Sequence, residues 1–245
     1  MPMKLIIQEI IKYLIVGISL AINNAANVMV ILTNFIYIGR LEDPLIQASF
    51  GLGVSYYMFL FMSLNLGCYE VTGIQCAKIY GSGYLKGMSE TLGKGFCLLG
   101  LIYIFSITMF WFSPYILIGI GIAEENAHMT GTMVRWMIPG MILQGINFQF
   151  MSFCMGQNIT KPFGLANIFN VAICAALGGW LVNDCQVGIM LFPICKFLME
   201  IVNGITVLIC CLSQIEKGSL QWVPWANVKY ELGIFLWTGM KFILA

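Results

Sequence analysis

The sequence predicts an all-α membrane protein, a polytopic helical bundle of six transmembrane helices followed by the start of a seventh. Three observations carry that expectation. Of the 245 residues 60% are hydrophobic and only 9% charged, whereas soluble domains carry about 25% charged residues. Such a chain cannot cover a water-facing surface. Its apolar residues gather into long runs that meet the ~20 residues a membrane span needs. Its lysines, finally, fall on one side of the topology those runs imply.

The same composition narrows the function. A formal net charge of +1 gives no electrostatic case for nucleic-acid binding. The nine cysteines and single histidine include no C-x-x-C pair, so no convergent metal-ligand set is expected. Most of the cysteines sit in apolar runs, where Cys behaves as a small hydrophobe, and Cys185 beside a short loop has no obvious disulfide partner. There is no H-E-x-x-H, P-loop or G-x-S-x-G motif, so hydrolysis and ATP-driven pumping lack their parts. Neither an enzyme nor a cofactor is expected.

Along the chain, residues 3–12 are expected at the membrane interface, with Glu9 and Lys12 facing water, and feed a first span over about 13–38. The apolar run is too long for a cleaved signal peptide. Asn23, Asn24, Asn27 and Asn34 interrupt it. Amides inside a membrane must find partners or water, so one side of this helix faces protein or a cavity. After the turn Gly39–Pro44, a second helix runs from about Leu45 to Ile79, longer than one crossing, so it tilts or protrudes. Its face carries Ser49, Ser55, Ser63 and Asn65. It ends where Lys78 snorkels to the headgroups and Gly81 and Gly83 let the chain reverse. Gly67 and Gly73 remove side chains where another helix comes close.

A loop bearing Lys86, Glu90 and Lys94 leads to the third span, about 95–121. Glu124, Glu125 and His128 follow. The fourth span, about 129–155, carries Arg135 near its start and Pro139, which removes a backbone hydrogen bond and kinks the helix. The turn Gly156–Pro162 leads to the fifth span, about 163–182, with Asn167 and Asn170. Beyond Asp184 the sixth span, about 187–212, contains Pro193, Lys196 and Glu200. Three units result: a six-helix lobe over 1–212, a polar linker over 213–229 whose tryptophans suit a membrane interface, and a seventh helix beginning at 230 and cut off at 245. With the N-terminus in the cytoplasm, Lys4, Lys12, Lys78, Lys86, Lys94, Lys161, Lys217 and Lys229 lie inside, as does the linker. Arg40 and Arg135 fall near the outer ends, and Glu124, Glu125 and Asp184 outside. That is a positive-inside pattern.

The run Gly67–Gly83, GCYEVTGIQCAKIYGSG, resembles the end of the second helix in MATE (multidrug and toxic compound extrusion) transporters. Gly67 falls on their first glycine, and Cys76 to Gly83 on a tail reading C-S-Q-A-Y-G-S-G or a near variant. Tyr37 to Glu42 is similar to the family's first-helix ending, Gly156–Pro162 to its fourth-helix turn, and Asn170 to an asparagine of its fifth helix. The resemblance implies the N-terminal six-helix lobe of a transporter whose two lobes face each other across a central cleft. It implies a secondary antiporter, or half of one, that exports organic, often cationic, compounds in exchange for H+ or Na+. Its partners would be the lipid bilayer, a small organic substrate, the coupling cation, and a second lobe or second copy. Some positions depart from the pattern. Residues that are acidic in some members fall on Asn34, Gly73 and Cys174, and the usual glutamine on Lys78. The seventh-helix carboxylate of eukaryotic members would lie beyond Ala245. An amide does not titrate, so no proton-carrying role is expected at Asn34. These losses fit an alternative, a non-transporting membrane scaffold or remnant that kept the lobe fold and lost the coupling acids.

Intramembrane polar residues are expensive in lipid and mark function by default. Asn34, Gln144, Asn147, Asn167 and Asn170 come from the first, fourth and fifth spans. If those helices surround one cavity, as the resemblance implies, these amides line a substrate and ion pathway; bonding between helices is the other reading. Lys196 and Glu200, spaced i,i+4, share one helix face and can pair. They are either a charged site or a mutually neutralised structural pair, and the second is favoured because the resemblance implies no hallmark site there. Glu70 is either a proton carrier or a headgroup-level carboxylate near Lys78, again with the second favoured. The 16 methionines and 17 phenylalanines suit an adaptable apolar cavity, although in a chain this hydrophobic lipid contact and packing explain most of them.

Overall fold

The computed structural model describes residues 3–183, 185, 187–229 and 231–244. The expected external Asp184 and the first residue of the last run, Tyr230, lie outside them, as do the side chains of Glu9, Lys12, Asn23 and Asn24. Helix α1 spans Met3–Gly39 without a break. The interfacial segment expected over 3–12 is therefore part of the same helix. Residues 3–16 contain neither proline nor glycine, so nothing in the sequence stops the helix there. Its C-terminal carbonyls are met by Gln47, whose Nε2 donates to Gly39 O at 3.3 Å and to Leu41 O at 2.8 Å.

Asp43 starts the next helix by accepting from Leu45 N at 2.9 Å, with Pro44 in the first turn, where a missing N–H does no harm. Helix α2 (Pro44–Tyr57) passes through a π-helical turn, Met58–Met62, into α3 (Ser63–Gly81). The whole is 38 residues, roughly 57 Å at 1.5 Å per residue, so it overreaches a bilayer core as expected. Of the two turn glycines only Gly83 uses a positive φ, +77°. Helix α4 (Leu85–Trp111) begins ten residues before the predicted third span. Lys86, Glu90 and Lys94 are helical, not loop. Their i,i+4,i+8 spacing puts them on one face while Met88 and Leu92 are buried on another.

A short α5 (Ser113–Gly119) leads to α6 (Glu124–Trp136) and α7 (Ile138–Met155). The expected kink at Pro139 is a break at Met137, with the proline in the first turn of the second piece. Arg135 donates to Trp111 O at 2.8 Å and lies over the Trp111 ring, closing the end of α4. Helix α8 covers Lys161–Asn183. After a 3-10 turn at Gly188–Met190, α9 (Leu191–Thr206) runs into a second π-helical turn, Val207–Cys211, and α10 (Leu212–Gln214). Helices α11 (Trp225–Lys229) and α12 (Leu232–Leu244) follow. Among the described residues four helices are long and apolar enough to cross a membrane: Pro44–Gly81, Leu85–Trp111, Lys161–Val182 and Gly188–Ile209.

The bundle pairs α1 with α8, α3 with α4 and α7, and α2 with α6, while α9 packs on both α7 and α8. Its main core is aromatic and methionine-rich, with Phe50, Tyr57, Phe61, Phe110, Phe192, Met133 and Met141 fully buried. Phe59, Ile104, Phe169 and Leu208 face outward, the surface a hydrocarbon solvent requires. Helix α12 rests on α3 and α4 through Phe235 beside Val71 and Leu98. At Gly156 the end of α7 lies against the backbone of α3: an added Cβ there would sit 2.8 Å from Cys76 Cβ and 3.1 Å from Ala77 N.

The linker is tied down. Ser89 donates to Ser219 O at 2.6 Å and accepts from Gln221 N at 2.8 Å. Gln157, in the turn between α7 and α8, donates to Ser219 Oγ at 3.1 Å and accepts from Glu216 N at 3.0 Å. Gln157→Ala leaves the Glu216 N–H without its acceptor and Ser219 Oγ without a donor, though that hydroxyl still donates to Glu216 O at 2.8 Å. A loss of about 1–3 kcal/mol is expected, visible as faster proteolysis within 213–224 while α4 and α7 stay resistant.

Candidate functional site

Lys196, Glu200 and Asn203 recur at i, i+4 and i+7 and so share one face of α9. That face is turned into the bundle: Lys196 is 7% and Glu200 1% exposed. The Lys196 ammonium lies 2.9 Å from Glu200 Oε1. Two such charges are expensive to bury unless every remaining polar atom finds a partner, and three neighbouring helices supply partners. From α7, Asn147 Nδ2 donates to Glu200 Oε2 at 3.0 Å and to Glu200 O at 2.8 Å. From α9 itself, Asn203 Nδ2 reaches Glu200 Oε2 at 3.4 Å. From α8, Asn170 Nδ2 donates to Asn203 Oδ1 at 2.9 Å and to Asn167 Oδ1 at 3.1 Å. From α2, Tyr57 borders the same small cavity as Lys196 and its hydroxyl donates to Gln144 Oε1, while Gln144 Nε2 donates to Met62 Sδ at 3.2 Å.

Of the residues singled out by sequence, Asn147, Asn167, Asn170, Lys196 and Glu200 therefore form one connected network, and Gln144 adjoins it through Tyr57, which shares a small cavity with Lys196. The amides and the charged pair, read separately from the sequence, are parts of a single structure. Asn34 stands beside it rather than in it. Buried on α1, it donates to Val30 O at 2.8 Å and to Cys174 Sγ on α8 at 3.3 Å. Glu70 is apart from both. It is exposed on the α3 wall of a cleft of about 670 Å³ between α1, α3 and α7. Met58, Met62, Met151 and Met155 line that cleft, together with Tyr69, Gly73 and Phe148.

Two small cavities join cleft and network. One of about 30 Å³ borders Lys196 and Tyr57, and one of about 20 Å³ borders Asn147, Asn167 and Asn203. Asn27 borders both and the large cleft as well. Asn27 was placed by sequence on a face toward protein or a cavity but not in the pathway set, while Tyr57 and Asn203 are the members that sequence reasoning left out. Asn203 was within reach of it, since it continues the i,i+4 pair by one turn. Tyr57 carried no signal, because a tyrosine in an apolar helix reads as packing.

Residues 10–181 match the sequence model of the family described as MatE. The chain belongs to the MatE family. No curated protein matches it in sequence, and its likeness to solved structures lies in the fold. The eukaryotic MATE transporter AtDTX14 superposes with a TM-score of 0.82 at 18% identity, over 93% of this chain and 50% of its own. An outward-facing multidrug resistance MATE family transporter of the MOP superfamily gives 0.77 at 15% identity, over 93% and 51%. A MOP superfamily transporter from Pyrococcus furiosus, described as having a binding pocket of reverse polarity, gives 0.77 at 16% identity, over 94% and 51%. This chain thus spans about half the length of the solved transporters it matches. In this MatE chain, of the three positions that the motif comparison marked as acidic elsewhere, Asn34 and Cys174 meet, but as an amide and a thiol, and Gly73 lines the large cleft. Its deeply buried carboxylate is Glu200, already paired with a lysine.

Proposed function

We propose that the chain is the N-terminal lobe of a secondary antiporter that exports organic compounds, many of them cationic, in exchange for H+ or Na+. The observation that carries this reading is the continuity of the methionine-lined cleft with a buried ionic network through Asn27 and Met62. A cleft of about 670 Å³ is in the size range of small-molecule sites, and thioether walls adapt to varied apolar cargo. Glu70 supplies the negative charge on that wall, so it is a contact for cationic cargo, while the network responds to the coupling ion. The lysine distribution supports a cytoplasmic N-terminus and linker. Alternating access in such folds is one half moving against another, so a second lobe or a second copy completes the transporter.

The test is dye movement. Vesicles containing the chain are expected to move ethidium under an imposed pH or Na+ gradient, with crosslinking reporting a dimer. Glu70→Gln is expected to raise the apparent KM for ethidium about tenfold, with little change for a neutral dye. Equal effects on both dyes would remove Glu70 from the cargo path. A second reading has its own support. Asn34, Gly73 and Cys174 lack carboxylates, which fits a membrane scaffold that kept the lobe and lost coupling. A stable monomer that moves no dye under either gradient would favour it.

A further inference from the structure

The Lys196–Glu200 pair is arranged less like a surface ion pair than like an ion in a coordination site. Glu200 Oε2 is held by amide N–H groups from Asn147 and Asn203, so the carboxylate is oriented without help from the lysine. Its other oxygen, Oε1, faces the ammonium at 2.9 Å. Tyr57, on α2, borders the same small cavity as Lys196, its hydroxyl proton committed to Gln144. A monovalent cation is thus met by a carboxylate oxygen, with a phenol beside the same cavity, and both are fixed by other bonds. The neighbouring cavity of about 30 Å³ has room for one or two waters, which would complete the shell of an alkali cation, a ligand set of hard oxygens.

We propose that the Lys196 ammonium is the resident, tethered cation of an alkali-cation site built from Glu200 and Tyr57, so that this lobe takes up no Na+ and gains a Na+ site when Lys196 is removed. A buried carboxylate stripped of its counter-charge is strongly unfavourable in a low-dielectric interior, and the pre-oriented Oε1 beside a small cavity gives a mobile cation a place to relieve it. As a statement about coupling this rests on the antiport reading, from which it selects H+ over Na+ for this lobe. As a statement about binding it does not, so binding is what the test reads.

The full 245-residue chain is purified in detergent in NaCl, and thermal unfolding is compared in ~150 mM NaCl and ~150 mM choline chloride, the upper end of physiological ionic strength. Wild type is expected to unfold at the same temperature in both. Lys196→Ala and Lys196→Gln are expected to be about 5 °C more stable in Na+, the shift that saturating a weak site gives a chain of this size. The double variant Lys196→Ala/Glu200→Gln, which lacks the carboxylate, is expected to be indifferent. Stabilisation of wild type by Na+ overturns the proposal. So does indifference of both single variants, which would mean that Glu200 takes a proton instead, and so does their failure to fold in NaCl. A chain that moves no dye but shows the Na+ pattern leaves the site standing and sinks only the transport reading.

Discussion

Glu200→Ala lowers the midpoint of thermal unfolding by roughly 10 °C, a loss of about 3–5 kcal/mol. The loss comes less from the attraction removed than from what remains. Lys196 stays 7% exposed with its ammonium in a low-dielectric interior and its carboxylate partner gone. Asn147 loses both the carboxylate and part of its geometry to the α9 carbonyl, and Asn203 loses an acceptor. Removing both charges is a different experiment. Lys196→Met/Glu200→Leu keeps the volume and strands no charge, so it is expected to lie within about 2 kcal/mol of wild type, or above it. Detergent-solubilised protein followed by thermal unfolding separates the cases. If the double variant falls as far as the single one, the pair acts through packing and the electrostatic account fails.

Gly156→Val is expected to be nearly as damaging, at about 3 kcal/mol, with Gly156→Ala losing about 1–2 kcal/mol. Gly156 has φ −56°, which any residue adopts, so conformational freedom is not the reason for glycine here. Space is the reason. A Cβ would meet Cys76 Cβ at 2.8 Å and the backbone nitrogen Ala77 N at 3.1 Å, and backbone cannot rotate out of the way as a side chain can. The crossing of α7 on α3 at this point also aligns the cleft wall, since Gly73, Ala77, Ser152, Met155 and Gly156 all line it. Gly100→Ala in α4 is the control. Nothing lies within 4 Å of its added Cβ, so helix propensity alone operates and a gain of up to about 1 kcal/mol is expected. A Gly156→Ala variant as stable as the Gly100→Ala control would show that the two helices are not held at that separation.

How much of this was legible in the sequence depends on the range of the information. Helices were legible because apolar runs and turn residues are local: the Asp43–Pro44 start and the Gly83 reversal stand where the residues put them. Charge misled at Lys86, Glu90 and Lys94, which suggest a loop by polarity yet extend α4 by ten residues. There the spacing, not the polarity, held the information. Pro139 announced a disturbance, but whether a proline kinks a helix or starts a new one depends on the preceding turn, and here Met137 separates two helices. The Lys196–Glu200 pair could be read from i,i+4 spacing alone. That Asn147, Asn170 and Tyr57 converge on it could not, because hydropathy gives each helix a length and no rotation about its axis. Asn34 shows the same gap from the other side: its partner, Cys174, lies 140 residues away.

The linker bonds have a consequence for how the protein is made. Ser89 leaves the ribosome 130 residues before Ser219. At about 5–20 residues per second the first turns of α4 wait roughly 7 to 26 seconds for the residues that fasten them. The turn carrying Gln157 waits about half as long, since its partner Ser219 is 62 residues on. Both halves of the clasp are therefore laid down early and closed late, by one short polar segment. Its arrival acts as a completion signal for the preceding helices, and a nascent chain stalled before residue 219 would hold those helices as an unfastened set, open to quality-control proteases.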